Sequence, residues 1–88
     1  MLEVERTNQF KKDYRLAIRR GKKLERIESI IDALAKEEPL NPRHRPHRLT
    51  GDMEGYWECH VEPDYLMVYE YAPGALILVR LGTHSDLF

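Results

Sequence analysis

Four histidines, His44, His47, His60 and His84, all fall in the second half of the 88-residue chain. The terminal segment Arg80-Leu81-Gly82-Thr83-His84-Ser85-Asp86-Leu87-Phe88 adds an arginine shortly before a histidine. Imidazole both takes and gives a proton near neutral pH, and guanidinium is a permanent cation shaped for phosphate. Together they point to phosphodiester chemistry. Arg80 also interrupts an apolar run, and a desolvated guanidinium without a partner is costly, so it needs either an acidic partner or an anionic ligand.

These residues must be positioned by few elements. Eighty-eight residues form one domain, 1–88, burying roughly 60 to 70% of its unfolded surface, with no room for a separate cofactor domain. Leu2-Glu3-Val4-Glu5 alternates as a short strand. Thr7 is a helix cap before Phe10, Tyr14, Ala17 and Ile18, and Gly21 closes that helix. Leu24, Ile27, Ile30, Ile31 and Leu34 form the apolar stripe of a second helix stopped by Pro39. From Pro39 to Gly55 there is no sustained period, so this stretch reads as a loop. Three strands come next, Tyr56 to Val61, Tyr65 to Tyr71 and Ala75 to Leu81, joined by hairpins at Pro63-Asp64 and Pro73-Gly74. The order β-α-α-β-β-β gives an α+β domain, a two-helix hairpin on a small, mainly antiparallel sheet. Its core should join Leu24, Ile27, Ile31 and Leu34 to Val68, Ile77 and Val79, or to their strand neighbours.

The sheet's other face is then free for function. Tyr56, Glu58 and His60 point one way on their strand, and Trp57, Cys59 and Val61, the natural core set, point the other. His60, Asp64 and the Arg80–His84 segment can meet at one rim.

Fourteen basic and fifteen acidic residues give a formal charge of −1, unevenly spread. Residues 39–51 carry Arg43, Arg45 and Arg48 and no acid, whereas residues 52–88 hold only Arg80 against seven acids. A polyanion would be engaged by the loop arginines. The single Cys59 excludes an internal disulfide, and no apolar stretch suits a signal peptide or a membrane span, so a cytoplasmic location is expected. Zinc is the chemical rival, through His44-Arg45-Pro46-His47, Cys59, His60 and His84, but three flanking arginines oppose a cation.

The stretches His47-Arg48-Leu49-Thr50-Gly51, Tyr56 through Tyr69 with its block His60-Val61-Glu62-Pro63-Asp64, and Arg80 through Phe88 with Gly82-Thr83-His84 resemble the YafQ branch of the RelE/ParE toxin superfamily. The resemblance spans essentially the whole chain and implies a RelE-like fold. It implies the toxin of a type II toxin-antitoxin pair, a ribosome-dependent messenger-RNA endonuclease without metal or cofactor. A cognate antitoxin, the ribosome and messenger RNA are the implied partners, with a toxin-antitoxin hetero-oligomer and no membrane. The functional positions implied are His47, His60, Asp64, Tyr65, Arg80, His84 and Phe88.

A metal-free ribonuclease needs a base for the ribose 2′-hydroxyl, an acid for the leaving 5′-oxygen and a cation for the phosphorane. His60 and His84 are the expected proton-transfer pair, with acid and base unassigned. Asp64 would orient His60 or share its role, and Arg80 would clamp the phosphate. His47 would assist binding or protonation. Tyr65 and Phe88 would hold an unstacked base or its sugar, and Arg43, Arg45 and Arg48 would dock on phosphates. Two other readings are a catalytically inactive module that binds an antitoxin and a small zinc-binding domain.

Overall fold

The computed structural model describes residues 1–88. In chain order the elements are β1 (Glu3–Arg6), α1 (Asn8–Arg19), α2 (Leu24–Ala35), β2 (His47–Arg48), β3 (Trp57–Glu62), β4 (Tyr65–Ala72), β5 (Ala75–Gly82) and α3 (His84–Leu87), with single 3-10 turns at Pro42–His44 and Gly51–Met53. One five-stranded sheet has the order β1-β5-β4-β3-β2, with β1 parallel to β5 and every other pair antiparallel. The expected order holds, with two additions. The loop contributes the two-residue strand β2, and the tail winds into α3.

Both helices pack on one sheet face. Phe10 and Ala17 of α1 and Ile27, Ile30, Ile31, Leu34 and Ala35 of α2 share a core with Cys59, Val61, Tyr65, Met67, Tyr69, Leu76, Leu78 and Leu81. Fully burying an aliphatic side chain of this size contributes about 1.5 to 3 kcal/mol. The strand side of this core is one residue out of step with Val68, Ile77 and Val79, and is made by their neighbours. The runs of β4 and β5 are apolar nearly throughout, so they lack the alternation that would reveal a face. Ile18 is half-exposed and Leu24 only partly buried. Ile18 sits about 80° round the helix from Phe10, and the inward position on the other side is taken by Asp13.

Helix α2 ends four residues before Pro39, where Glu37 adopts a left-handed conformation (φ 58°). The helix thus stops by its own C-terminal turn rather than by the proline.

A bulge decides where Arg80 goes. Val68 pairs with Arg80 but Tyr69 pairs with Leu78, leaving Val79 as an extra residue in β5. The insertion flips the facing of the residues beyond it: Leu81 joins Leu76 and Leu78 in the core, and Arg80 turns to the other face opposite Val68. Strand β1 stops at Arg6, so the backbone of β5 beyond Leu78 needs other partners. Thr7, the cap of α1, donates its N–H to the Leu78 carbonyl and its hydroxyl to the Val79 carbonyl, while accepting from the Phe10 N–H. Asp13 accepts from the Leu81 N–H at 2.9 Å. Helix α1 therefore completes the edge that β1 leaves open.

Candidate active site

Strand register assembles the site across the face opposite the helices. His47 pairs with Glu58, Glu58 with Val68 and Val68 with Arg80, so these four residues form one row over β2, β3, β4 and β5. The next row is His60, Leu66 and Gly82, and the chain passes directly from Gly82 into Thr83 and His84. Four rings run along this rim, with centroid separations of 6.2 Å from His47 to His60, 6.2 Å from His60 to His84 and 6.5 Å from His84 to Phe88.

Hydrogen bonds settle which nitrogen each ring presents. A carbonyl or carboxylate only accepts, so the nitrogen facing it carries the proton. His47 donates Nδ1–H to the Arg45 carbonyl (2.9 Å), His60 to the Pro63 carbonyl (3.2 Å) and His84 to Asp64 Oδ1 (2.8 Å). His60 and His84 leave Nε2 for chemistry, whereas the Nε2 of His47 faces Glu58 Oε1 at 3.3 Å. Asp64 also accepts the His84 backbone N–H at 3.1 Å. These bonds, the backbone one first, hold its carboxyl below the ordinary range. The expectation that Asp64 serves His60 is corrected: its partner is His84, because the β3–β4 turn reaches over to the first residue of α3. His44 donates to the His60 carbonyl at 2.6 Å, supporting β3 from behind.

Arg80 finds the acidic partner its sequence context demanded. Its Nε donates to Asp13 Oδ2 at 2.8 Å. Its side chain retains 29% exposure, and its two terminal nitrogens make no hydrogen bond within the protein. They are available to an anion.

Helix α3 is capped by Thr83, whose hydroxyl accepts from the Asp86 N–H while Asp86 accepts from the Thr83 N–H. Arg20 grips Asp86 at 2.6 and 3.2 Å, tying the tail to the end of α1. That hydrogen bond, with Thr83's backbone, holds the Asp86 carboxyl well below the usual carboxylate range. Gly82 is required here, since a Cβ would lie 2.8 Å from Asp86 Oδ2.

Two expectations change. Tyr65 is 1% exposed and belongs to the core, with the Lys22 ammonium 4.6 Å from its ring centroid, so it has no free face for a base. Its place opposite Glu62, on the core side of β4, explains this. Phe88, 63% exposed, is open. The three loop arginines are also not one patch. Arg43 and Arg45 line a cleft of about 270 Å³ beside His60, with Arg26 and Glu62. Arg48 pairs with Trp57 and lies 5.4 Å from the centre of its ring, on the opposite sheet face from His47.

Glu58 is the functional candidate that the sequence concealed. It is 5% exposed, its Oε1 lies 3.3 Å from His47 Nε2, and its Oε2 is buried without a hydrogen bond. Its alternation with His60 is visible in the sequence, but its burial is not. The zinc set that the sequence offers does not assemble: Cys59 faces the core and His44 points to the His60 carbonyl. Burial pushes the Cys59 thiol up to about 12, with the Glu58 charge adding to it.

A protein-family model described as "Bacterial toxin of type II toxin-antitoxin system, YafQ" matches residues 2–88. The mRNA interferase toxin YafQ of Escherichia coli K12 is 33% identical over 87 residues, 98% of this chain and 95% of the relative. The chain belongs to the YafQ family. The YafQ resemblance carried by the His60–Asp64 block and the Gly82–His84 segment is thereby established. A crystal structure of a metal-bound toxin from Helicobacter pylori superposes with a TM-score of 0.95 at 39% identity, covering 100% of both chains. YafQ in the E. coli DinJ-YafQ complex superposes with a TM-score of 0.91 at 32% identity, covering 100% of this chain and 99% of that one. The likeness to these solved structures therefore spans the whole of the chain.

Proposed function

We propose that this chain is the toxin of a type II toxin-antitoxin pair and cleaves messenger RNA on the ribosome by metal-independent transesterification. The observation that carries the reading is the Asp64–His84 dyad facing His60 across 6.2 Å between ring centroids. A carboxylate on Nδ1–H stabilises an imidazolium, so His84 is the acid and gives its Nε2 proton to the leaving 5′-oxygen. His60 Nε2, whose ring is held by the Pro63 carbonyl, is the base and takes the 2′-hydroxyl proton. The new bond joins the 2′-oxygen to phosphorus and the bond to the 5′-oxygen breaks, leaving a 2′,3′-cyclic phosphate and a 5′-hydroxyl. The free nitrogens of Arg80 stabilise the charged phosphorane. His47 and Glu58 bear on the base side, and Phe88 offers its open ring to a base or sugar.

Ribosome dependence stems from how little of the RNA this site can hold. The catalytic rings lie along an open rim, with one guanidinium as clamp. Holding reactants in line is worth several kcal/mol of a barrier, and the ribosome with its bound messenger supplies that order. The E. coli relative is solved with DinJ, and a co-encoded antitoxin is the corresponding partner for this chain. No helix here is long and apolar enough to cross a membrane.

The test compares purified chain acting on free messenger RNA and on the same RNA in translating ribosomes, with and without EDTA at a concentration that leaves ribosomes intact. Rapid cutting only on ribosomes, indifferent to EDTA and ending in cyclic phosphates, is expected. Equal cutting of both substrates, or loss of activity on chelation, contradicts the reading.

A further inference from the structure

We propose that Arg20 is a positioning residue of the nuclease: through Asp86 it fixes the terminal helix α3, so that His84 Nε2 stands in line with the leaving 5′-oxygen. The catalytic half of this rests on the reading of His84 as the acid; the clamp on α3 does not.

The tail has little of its own to hold it. Helix α3 is a single turn of four residues, His84–Leu87, and buries none of them. A helix so short does not persist by its own hydrogen bonds. The His84–Asp64 pair does not order it either, since the two side chains are 58% and 67% exposed, and an exposed ion pair gains little against side-chain entropy. Yet a misplacement of about 1 Å at a reacting group can lower a rate by about 10²-fold. The position of His84 must be set from elsewhere.

Arg20 sets it. Its two terminal nitrogens donate to the two oxygens of Asp86 at 2.6 and 3.2 Å, a fork that fixes direction as well as distance. The same Asp86 Oδ2 accepts the Thr83 N–H at 2.9 Å, so one carboxylate joins Arg20 to the residue immediately before His84. That carboxylate also rests on Gly82 at the end of β5, close enough to leave no room for a Cβ. The other end of the link is rigid. Arg20 is the C-cap of α1, and Gly21 follows in a left-handed conformation (φ 74°). The Gly21 N–H bonds the Ile18 carbonyl and the Lys22 N–H bonds the Ala17 carbonyl, the pairing that locks a helix end. Arg20 Nη1 also reaches the hydroxyl of the buried Tyr65 at 3.5 Å. With its fork occupied by Asp86, Arg20 differs from Arg80, whose terminal nitrogens are open to a phosphate.

The test follows single-turnover cleavage on translating ribosomes, at saturating protein, of two messengers: one natural, one with sulfur replacing the leaving 5′-oxygen at the scissile link. With oxygen, the phosphorus–oxygen bond breaks as His84 gives its proton; with sulfur, the phosphorus–sulfur bond breaks and the thiolate leaves without one. On the natural messenger Arg20→Ala should cut about tenfold or more slowly. Arg20→Lys, a point charge without the fork, should recover part of the rate, and adding Arg20→Ala to His84→Ala should cause no further loss. On the sulfur messenger the Arg20→Ala defect should vanish together with that of His84→Ala, which a general loss of fold or of ribosome affinity does not produce. In the free chain, amide hydrogen exchange at Asp86 and Leu87, whose N–H groups bond the Thr83 carbonyl, should be faster in Arg20→Ala, while the buried Leu81 N–H keeps its parental protection. Parental cleavage by Arg20→Ala, an equal defect on both messengers, additive loss with His84→Ala, or unchanged exchange at Asp86 and Leu87 overturns the proposal. A parent chain that cuts neither messenger contradicts the nuclease reading instead, and faster exchange in Arg20→Ala then leaves the clamp on α3 standing.

Discussion

Replacing Asp13 by Ala tests whether α1 completes the edge of β5. Asp13 is 6% exposed and accepts three hydrogen bonds, from Gln9 Nε2 at 3.0 Å, Arg80 Nε at 2.8 Å and the Leu81 N–H at 2.9 Å. The Leu81 N–H is buried, and leaving it unpaired costs about 1 to 3 kcal/mol. Arg80 is partly hydrated, so its share is discounted toward that of a surface pair, about 1 kcal/mol. The sum is about 2 to 4 kcal/mol, a large part of the roughly 5 to 15 kcal/mol that holds a domain together. Urea unfolding measures it, with an unchanged m-value showing that the unfolded state is the same. Asp13→Asn, which keeps an oxygen for Leu81, should lose less. A double-mutant cycle with Arg80→Ala should show coupling of about 0.5 kcal/mol or more. A loss under about 1 kcal/mol for Asp13→Ala, or additive effects with Arg80→Ala, would refute the edge-completion argument.

Cys59, with its thiol pushed up to about 12 by burial, should resist alkylation in the native chain at pH 8 and react fully in urea; rapid native labelling would place it outside the core. Asp64 and Asp86 titrate below the ordinary carboxylate value, so the stability they contribute is complete above about pH 4 and is lost as pH falls through their lowered values. Acid unfolding of Asp86→Asn should therefore be flatter than that of the parent below about pH 4, and identical slopes would contradict the Arg20 clamp. Because Arg43 and Arg45, alone among the three loop arginines, line the cleft beside His60, replacing both with Ala should reduce the salt dependence of ribosome binding by up to about 0.7 to 0.9 log units per lost phosphate contact. Arg48→Ala should leave it unchanged, and equal effects from all three would restore a single basic patch.

The sequence discloses this fold unevenly, for physical reasons. Ile27, Ile30, Ile31 and Leu34 recur with helical period, so α2 is legible, and the Pro-Asp and Pro-Gly pairs mark the hairpins. Residues 75–79 are all apolar, so neither the inward face of β5 nor the bulge at Val79 can be read from them. His60, Arg80 and His84 are legible because their chemistry is conspicuous. Asp13 and Glu58 are not, because acidic residues usually mark solvent and burial depends on register with distant strands. Tyr65 misleads in the opposite direction: an aromatic beside Asp64 suggests stacking on a base, whereas its strand position faces the helices. The capped α3 did have a local signature in Thr83-His84-Ser85-Asp86, a capping box that precedes no long apolar run.

Single-turnover cleavage on translating ribosomes by His84→Ala, measured across pH beside the parent, tests the proton-transfer account most directly. If His84 gives the proton to the leaving oxygen, the variant should cut about 10²-fold or more slowly, lose the alkaline limb of the pH profile and still bind the ribosome. Cleavage at the parental rate with the parental profile would contradict the assignment of His84 as the acid.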